Sequence, residues 1–110
     1  MDTLIPISQE IHQLHADICS ALADPTRILI LYILAGNPCT VNDLAGKLNV
    51  AQPTTSRHLK VLRERGLVRA NRQAQTVEYS LNDPRIIEAL DLLRAVLRDT
   101  LSYRANLITQ

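Results

Sequence analysis

Residues 40–81 read TVNDLAGKLNVAQPTTSRHLKVLRERGLVRANRQAQTVEYSL, and this stretch decides the fold. Apolar residues recur at steps of three and four through 40–48 and again through 52–65, which predicts two short amphipathic helices. Apolar and polar residues then alternate through 67–72 and 76–81, which predicts two strands. The stretch therefore predicts a helix, a turn, a second helix and a two-stranded hairpin.

Local signals mark the ends of these elements. Thr40 is the predicted N-cap of the first helix, with Asp43 three residues on as its capping-box partner. Gly66 is expected to end the second helix. The hairpin turn Gln73-Ala74-Gln75 lacks the Asn-Gly or Asp-Gly pair of the commonest tight turns, so its type stays open.

Two more helices precede this stretch. Residues 8–22 carry apolar side chains at steps of three and four, which predicts an amphipathic helix with Ser8 as N-cap. Asp24 and Pro25 then open a helix that is apolar nearly all round and ends at Gly36. We expect it to be the buried central helix.

A last, long helix is predicted from Asp83-Pro84 onward. Its apolar stripe comprises Ile86, Leu90, Leu93, Leu97 and Leu101. The predicted order is α-α-α-α-β-β-α, a mainly helical fold with a small β-hairpin. Because 110 residues suit one domain, we expect a single domain over 1–110.

Composition narrows the class of protein. With three Tyr and no Phe or Trp, the core is expected to consist of Leu, Ile, Val and Ala. No apolar run approaches the roughly 20 residues that cross a bilayer, so no membrane partner is predicted. The sequence MDTLIPISQEIHQ has no basic start followed by an apolar block, which argues against a secretory signal. The expected compartment is the cytoplasm, where Cys19 and Cys39 stay reduced.

Charge is unevenly distributed although the net charge is only +1. Residues 52–72 carry six cations against Glu64 alone, whereas residues 1–24 carry four acids and neither Lys nor Arg. Such a basic stripe is an electrostatic footprint for a polyanion, although a solvated helix face has the same composition. Its coincidence with the helix-turn-helix pattern favours DNA.

Helix-turn-helix geometry shows which side chains would meet DNA. The second helix enters the major groove by its N-terminal turns, and a hairpin behind it forms a wing that reaches a neighbouring backbone or minor groove. Gln pairs with adenine, Arg with guanine, and the Thr methyl contacts thymine, while hydroxyls, amides and cations hold phosphates. The predicted DNA contacts are Gln52, Thr54, Thr55, Ser56, Arg57, His58, Lys60, Arg63, Arg72, Gln73 and Gln75, with Lys47 and Arg69 as further phosphate candidates.

Three of these residues have a purely structural alternative. Gln52 and Ser56 are also suited to capping the helix, and His58 to bonding a neighbouring side chain. These alternatives stay open at the level of sequence.

Three segments resemble the ArsR/SmtB family of winged-helix repressors: ALADPTRILILYIL (21–34), TVNDLAGKLNVAQPTTSRHLKVLRERGLV (40–68) and QTVEYSL (75–81). The likeness covers about residues 10–100. The family's recognition-helix form, Gln-Ser-x-Val-Ser-x-His-Leu, aligns with Gln-Pro-Thr-Thr-Ser-Arg-His-Leu at 52–59, where Pro53 stands in place of a Ser that often faces DNA.

The resemblance implies a transcriptional repressor with a winged helix-turn-helix (40–65, wing 67–81). It implies a homodimer formed by the helices at 8–22 and 83–104, a palindromic operator in double-stranded DNA, and release by an inducer. The apolar stripes of the first and last helices support a dimer independently, because they exceed what one small core would cover.

Two metal sites known in the family are missing from this sequence. The zinc site of the last helix falls on Asp83, Arg85, Val96 and Asp99, of which Arg85 and Val96 cannot bind zinc. The thiolate site of the third helix falls on Thr40-Val41-Asn42-Asp43-Leu44, where Asn42 replaces a cysteine and Cys39 lies one residue too early. We therefore predict no metal cofactor at either position.

Two sensing alternatives remain open. His12, His15 and Cys19 stand at i, i+3 and i+7, a spacing that suits a transition metal such as zinc but also an ordinary interface edge. Cys19 and Cys39 are candidates for redox or persulfide sensing, although a free Cys is more often a small buried hydrophobe. The intervening helix argues against a disulfide between them within one chain.

Two other classes of protein are weaker readings. A winged-helix module that binds protein is expected to have a neutral, acidic or apolar outer face on its second helix, whereas this one carries four cations. An enzyme is not predicted, because no nucleophile-base-acid set and no glycine-rich phosphate loop can be placed.

Overall fold

The computed structural model describes residues 4–109, so residues 1–3 and Gln110 of the predicted domain lie outside it. The first helix, α1, consists of Leu4–Leu14, a π-helical segment His15–Cys19 and a last turn Ser20–Leu22. It is followed by α2 (Pro25–Gly36), β1 (Cys39–Thr40), α3 (Val41–Leu48), α4 (Gln52–Glu64), β2 (Val68–Gln73), β3 (Thr76–Leu81) and α5 (Arg85–Thr109). The predicted mainly helical fold is confirmed.

The sheet differs from the predicted hairpin in having a third strand. Its strand order is β1-β3-β2, all antiparallel, and Cys39 of β1 pairs with Tyr79 of β3. In the hairpin itself Gln73 pairs with Thr76, so the loop is the two residues between them and not the predicted three. Ala74 has a φ of 56°, the left-handed conformation that so tight a turn requires.

The first helix begins earlier than predicted. Ser8 is not its N-cap but lies inside Leu4–Leu14, where its carbonyl oxygen accepts a hydrogen bond from Nδ1 of His12 at 2.7 Å. The apolar residues upstream of Ser8 continue the helical pattern, and capping propensity alone does not outweigh such a continuation. The π-helical segment His15–Cys19 was also not foreseen.

Several predicted element ends are confirmed. The side chain of Asp24 accepts from the amide of Thr26 at 2.8 Å and caps α2. Thr40 Oγ1 accepts from the amide of Asp43 at 3.2 Å and caps α3. Gly66 follows α4 with a φ of 77°, a conformation that glycine adopts without strain.

The core lies between α2, α3, α4 and the sheet. Ile30, Leu31 and Leu34 of α2 are buried, which confirms α2 as the central helix, although Leu29 on its other side is exposed. The other buried apolar side chains are Ala21, Cys39, Leu44, Leu59, Leu62, Leu67, Val68 and Leu90. This core fixes α4 against α3 and the base of the hairpin.

Large apolar side chains on α1 and α5 stay outside this core. Those at least 43% exposed are Ile7, Ile11 and Leu14 on α1, and Leu92, Leu93, Val96, Leu97, Leu101, Tyr103, Leu107 and Ile108 on α5. So many exposed large apolar side chains on two helices are unusual on a monomer.

A side-chain cluster fastens α5 to α2. The hydroxyl of Tyr32 donates to Asp91 Oδ1 at 2.6 Å, and Nη1 of Arg94 lies 3.4 Å from the same hydroxyl. The guanidinium of Arg94 also lies over the Tyr32 ring, 5.1 Å from its centroid. The hydrogen bond with Tyr32 is the main reason why the pKa of Arg94 is raised.

Within residues 4–109, no single helix has the length and apolar character needed to cross a bilayer. One bent pair, Pro6–Leu22 with Pro25–Gly36, meets the criteria of length and composition together.

Candidate nucleic-acid interface

The turn between α3 and α4 sets the angle between the two helices. Asn49 ends α3 with φ 54° and ψ 46°, a left-handed conformation that Asn tolerates better than most residues. Its amide bonds back to the last turn of α3. Ala51 then starts α4 without a side-chain cap, and Pro53 occupies the first turn, where a missing amide costs no helical hydrogen bond.

One face of α4 is buried in the core. Thr55, Leu59 and Leu62 are each 0% exposed. The hydroxyl of Thr55 donates to the carbonyl oxygen of Ala51 at 3.1 Å. The prediction that Thr55 contacts DNA does not fit this structure, because a side chain with no accessible surface and a satisfied hydroxyl cannot reach a base.

The opposite face of α4 is exposed and polar. The predicted contacts that lie on it are Gln52, Ser56, Arg57, Lys60 and Arg63. Arg57 Nη2 donates to Oγ1 of the half-buried Thr54 at 3.1 Å, which places a guanidinium over the first two turns. Three cations and two hydrogen-bonding side chains therefore share the surface that would enter a groove.

His58 lies between these two faces and points at another helix. It is half-buried, and its Nδ1 lies 3.3 Å from Nη1 of Arg27 on α2. Because a guanidinium only donates, His58 Nδ1 is the acceptor in this bond. Of the two roles that the sequence leaves open for His58, the structure therefore contains the bond to a neighbouring side chain.

The carboxylate of Asp24 lies near His58. The pKa of Asp24 lies below its usual value: burial acts to raise it, but the amide of Thr26 and the nearby His58 lower it more. A carboxylate that keeps its charge here adds to the polar environment of His58.

The wing presents the second group of predicted contacts. Arg72, Gln73 and Gln75 are exposed at the tip of the β2–β3 hairpin, beside the tight turn. Arg69, lower on β2, is exposed and its Nε donates to Oγ of Ser80 at 3.2 Å. On α3, Lys47 is exposed and its Nζ lies 3.7 Å from Sγ of Cys39.

The residues proposed for sensing are separated. Cys19 is exposed in the π-helical segment, Cys39 is buried in β1, and neither forms a disulfide in the described chain. Residues 4–109 contain no group of three or more His, Cys, Asp or Glu arranged to hold a metal ion. Asp83, at the position of the family's zinc site, instead accepts hydrogen bonds from Arg85.

Sequence reasoning missed the arginines that attach α4 to the rest of the protein. Arg27 contacts His58 across 31 positions of sequence, and Arg65, at the end of α4, contacts Asp17 of α1 across 48. From the sequence alone, Arg65 is only one of the six cations in the basic stripe at 52–72. The four acids of residues 1–24 are a weak sequence signal for such a contact, because one of them, Asp17, pairs with Arg65 of the basic stripe.

Comparisons with known proteins match this geometry. The family model described as "Bacterial regulatory protein, arsR family" matches residues 24–70. The chain is 31% identical over 94 residues to the transcriptional repressor SdpR of Bacillus subtilis (strain 168), covering 86% of this chain and 92% of that one. It is 35% identical over 99 residues to the nodulation protein NolR of Rhizobium meliloti, covering 90% and 81%.

A solved structure agrees with these matches. The homodimeric winged helix-turn-helix DNA-binding domain of Mb0332 from Mycobacterium bovis, described as a possible ArsR-family transcriptional regulator, has a TM-score of 0.76 and 25% identity. It covers 87% of this chain, and the match spans 89% of that domain.

Proposed function

This chain belongs to the ArsR family and is a DNA-binding transcriptional regulator. We propose that it is a homodimeric repressor, that it binds a palindromic operator and that an inducer releases it from the DNA. The observation that carries the proposal is the exposed face of α4, where cations and amide or hydroxyl side chains cover the N-terminal turns. Because its proposed partner is DNA, we propose that the protein acts in the cytoplasm.

In this proposal α4 is the recognition helix and reads base edges. The amide of Gln52 offers a donor and an acceptor, which suits adenine, and the guanidinium of Arg57 offers two donors, which suits guanine. Thr54 offers a methyl group to thymine. Ser56, Lys60 and Arg63 hold phosphates along the groove. Thr55 has no part in the contact, because it lies in the core.

The wing and α3 extend the contact beyond the major groove. Arg72, Gln73 and Gln75 project from the hairpin and would reach the neighbouring backbone or minor groove. Lys47 and Arg69 add positive charge beside the two helices. Together these side chains predict a steep fall in affinity with salt, because each neutralised phosphate releases counterions.

A second copy of the chain is the proposed occupant of the apolar surface on α1 and α5. A two-fold axis places the same patch of both copies in contact, so an unusually apolar surface is covered without any other partner. The same axis sets two recognition helices on inverted half-sites about 34–36 Å apart. The solved Mb0332 domain, which is described as homodimeric, supports this arrangement.

The inducer is unassigned, and a chemical change at a cysteine thiol is one candidate for the switch that releases DNA. Its support is the exposure of Cys19 in the π-helical segment, whereas Cys39 is only 3% exposed. Thiol sensing would be supported if hydrogen peroxide or a persulfide releases DNA from the wild type and from Cys39→Ser but not from Cys19→Ser. Release that survives both substitutions would remove it.

The central test measures binding to the DNA upstream of the gene that encodes the chain, by fluorescence anisotropy over a salt series. We expect preference over a shuffled duplex and a log–log salt slope of about −0.9 for each phosphate contacted. Arg57→Ala should weaken binding, whereas Arg98→Ala, with the same charge change on the polar side of α5, should not. Binding without salt dependence or sequence preference would contradict the proposal.

A further inference from the structure

Two arginines join the recognition helix α4 to the C-terminal part of α1. Arg65, which follows α4, donates through Nη1 to Asp17 Oδ1 at 2.8 Å and to the carbonyl oxygen of Ala16 at 3.3 Å. Both partners lie in the π-helical segment His15–Cys19. The end of α4 is therefore attached directly to α1.

Arg27 makes the second connection, from α2. Its Nε donates to the carbonyl oxygen of Ala21 at 2.7 Å and its Nη2 to that of Ser20 at 3.2 Å. Its remaining branch, Nη1, lies 3.3 Å from Nδ1 of His58 in the middle of α4. One guanidinium thus holds the last turn of α1 and the recognition helix together.

The segment that both arginines hold is an unusual part of α1. A π turn is wider than an α turn and is found mostly as a single turn inside an α-helix, often at functional sites. The carbonyl oxygens bonded by the two arginines, at positions 16, 20 and 21, lie in or directly after this turn. The two attachments are about one turn apart along α1, so they hold α1 against α4 at two points.

We propose that Arg65 and Arg27 are positioning residues that hold α4 at a set angle to the dimer helix α1, so that the two recognition helices of a dimer match the spacing of the operator. The inference rests on the proposed dimeric, operator-binding function. In this view His58 acts through Arg27 and not by touching a base. A change in the angle between α4 and α1 occurs in both subunits of a two-fold dimer. It therefore displaces both recognition helices from their half-sites.

The sign of one substitution separates this role from a phosphate contact. Asp17→Asn removes a negative charge and leaves Arg65 without its ionic partner. If Arg65 served to bind phosphate, the freed guanidinium and the added net charge would strengthen binding to every duplex. If Arg65 positions α4, binding to the operator weakens while binding to random DNA does not.

The experiment uses the full chain and two duplexes: one selected from a random-sequence library by the wild-type protein, and a shuffled version of it. We expect Asp17→Asn to bind the selected duplex about three- to tenfold more weakly, as befits a partly exposed ion pair present twice in the complex. Binding to the shuffled duplex should be unchanged or tighter. Glu10→Gln, the same charge change on the same helix, is the matched control.

A second variant keeps the total charge constant. Arg27→Lys retains one cation but loses the three-branched contact, so it should also lose affinity for the selected duplex only, with Arg98→Lys as control. Sedimentation velocity and thermal melting accompany both variants and should show folded dimers. Unchanged or tighter binding of the selected duplex by both variants would overturn the inference while leaving the repressor function intact.

Failure of the proposed function has a different signature. A wild-type chain that selects no duplex, or that sediments as a monomer in the presence of DNA, would refute the dimeric operator-binding model itself. Equal weakening on both duplexes in the two variants would instead show a loss of general DNA binding and would overturn the positioning role.

Discussion

Replacing Leu97 with Ala should weaken the dimer in proportion to the apolar surface that the partner covers. Leu97 lies on the stripe of α5 and is 55% exposed in one chain. Full burial of a Leu side chain contributes about 1.5–3 kcal/mol, so covering the exposed half contributes about 0.8–1.6 kcal/mol. A two-fold interface contains the residue twice, which gives about 1.5–3 kcal/mol and a dissociation constant raised about ten- to 150-fold.

Sedimentation equilibrium over a range of chain concentrations measures this constant directly. Leu29→Ala is a closely matched control, because Leu29 is 54% exposed but lies on α2, outside the proposed interface. We expect the control to dimerise like the wild type. An unchanged constant in Leu97→Ala, or an equal shift in both variants, would show that the stripe of α5 does not form the interface.

Three further predictions concern DNA contact, the turn and acid stability. Arg57→Ala should lose about 1–3 kcal/mol of affinity for a selected operator and much less for shuffled DNA in a competition assay; equal losses would refute base readout. Asn49→Val should lower the free energy of unfolding in urea by about 1–2 kcal/mol, with Asn49→Gly close to wild type, since φ is 54° there; equal stabilities would contradict this. The Arg85 side chain lowers the pKa of Asp83 from 3.8 to about 2. A depressed carboxyl pKa gives stability that is present above about pH 4 and lost as pH falls towards 2. The free energy of unfolding of the wild type should therefore fall more steeply between about pH 4 and pH 2 than that of Asp83→Asn. Parallel pH profiles would show that the Asp83–Arg85 pair does not stabilise the fold.

Local chemistry explains which parts of the fold were predictable. The caps at Asp24 and Thr40 and the stop at Gly66 each depend on a side chain and amides a few residues away, or on one backbone dihedral. Such signals are fully contained in a short window of sequence. The elements they bound were therefore predicted with nearly correct ends.

The missed features depend on contacts between distant residues. Strand β1 has only two residues and exists because Cys39 meets Tyr79, forty positions on, so no periodicity can reveal it. The bond between Arg27 and His58 is of the same kind. Ser8 was misplaced for a different reason, since a good capping residue is also tolerated inside a helix.

The error at Thr55 was avoidable, because the pattern of α4 already contained the answer. Thr55, Leu59 and Leu62 are spaced at i, i+4 and i+7, so the inward direction of the two leucines implies that of Thr55. Placement in the first two turns is therefore not enough to make a side chain a base contact. It must also lie on the outward stripe that passes through Gln52, Ser56 and Lys60.

The strand order has a consequence for solubility. β2 is one of the two outer strands of the sheet, so one row of its backbone amides and carbonyls has no partner strand within the sheet and could pair with another chain. Arg69 and Arg72 obstruct such pairing, because stacking identical edges would bring like charges together. We therefore expect the cations proposed to hold DNA also to protect the wing from aggregation. A variant that abolishes DNA binding through neutral residues at both positions should precipitate more readily, whereas Glu at the same positions removes the binding and keeps the edge protected.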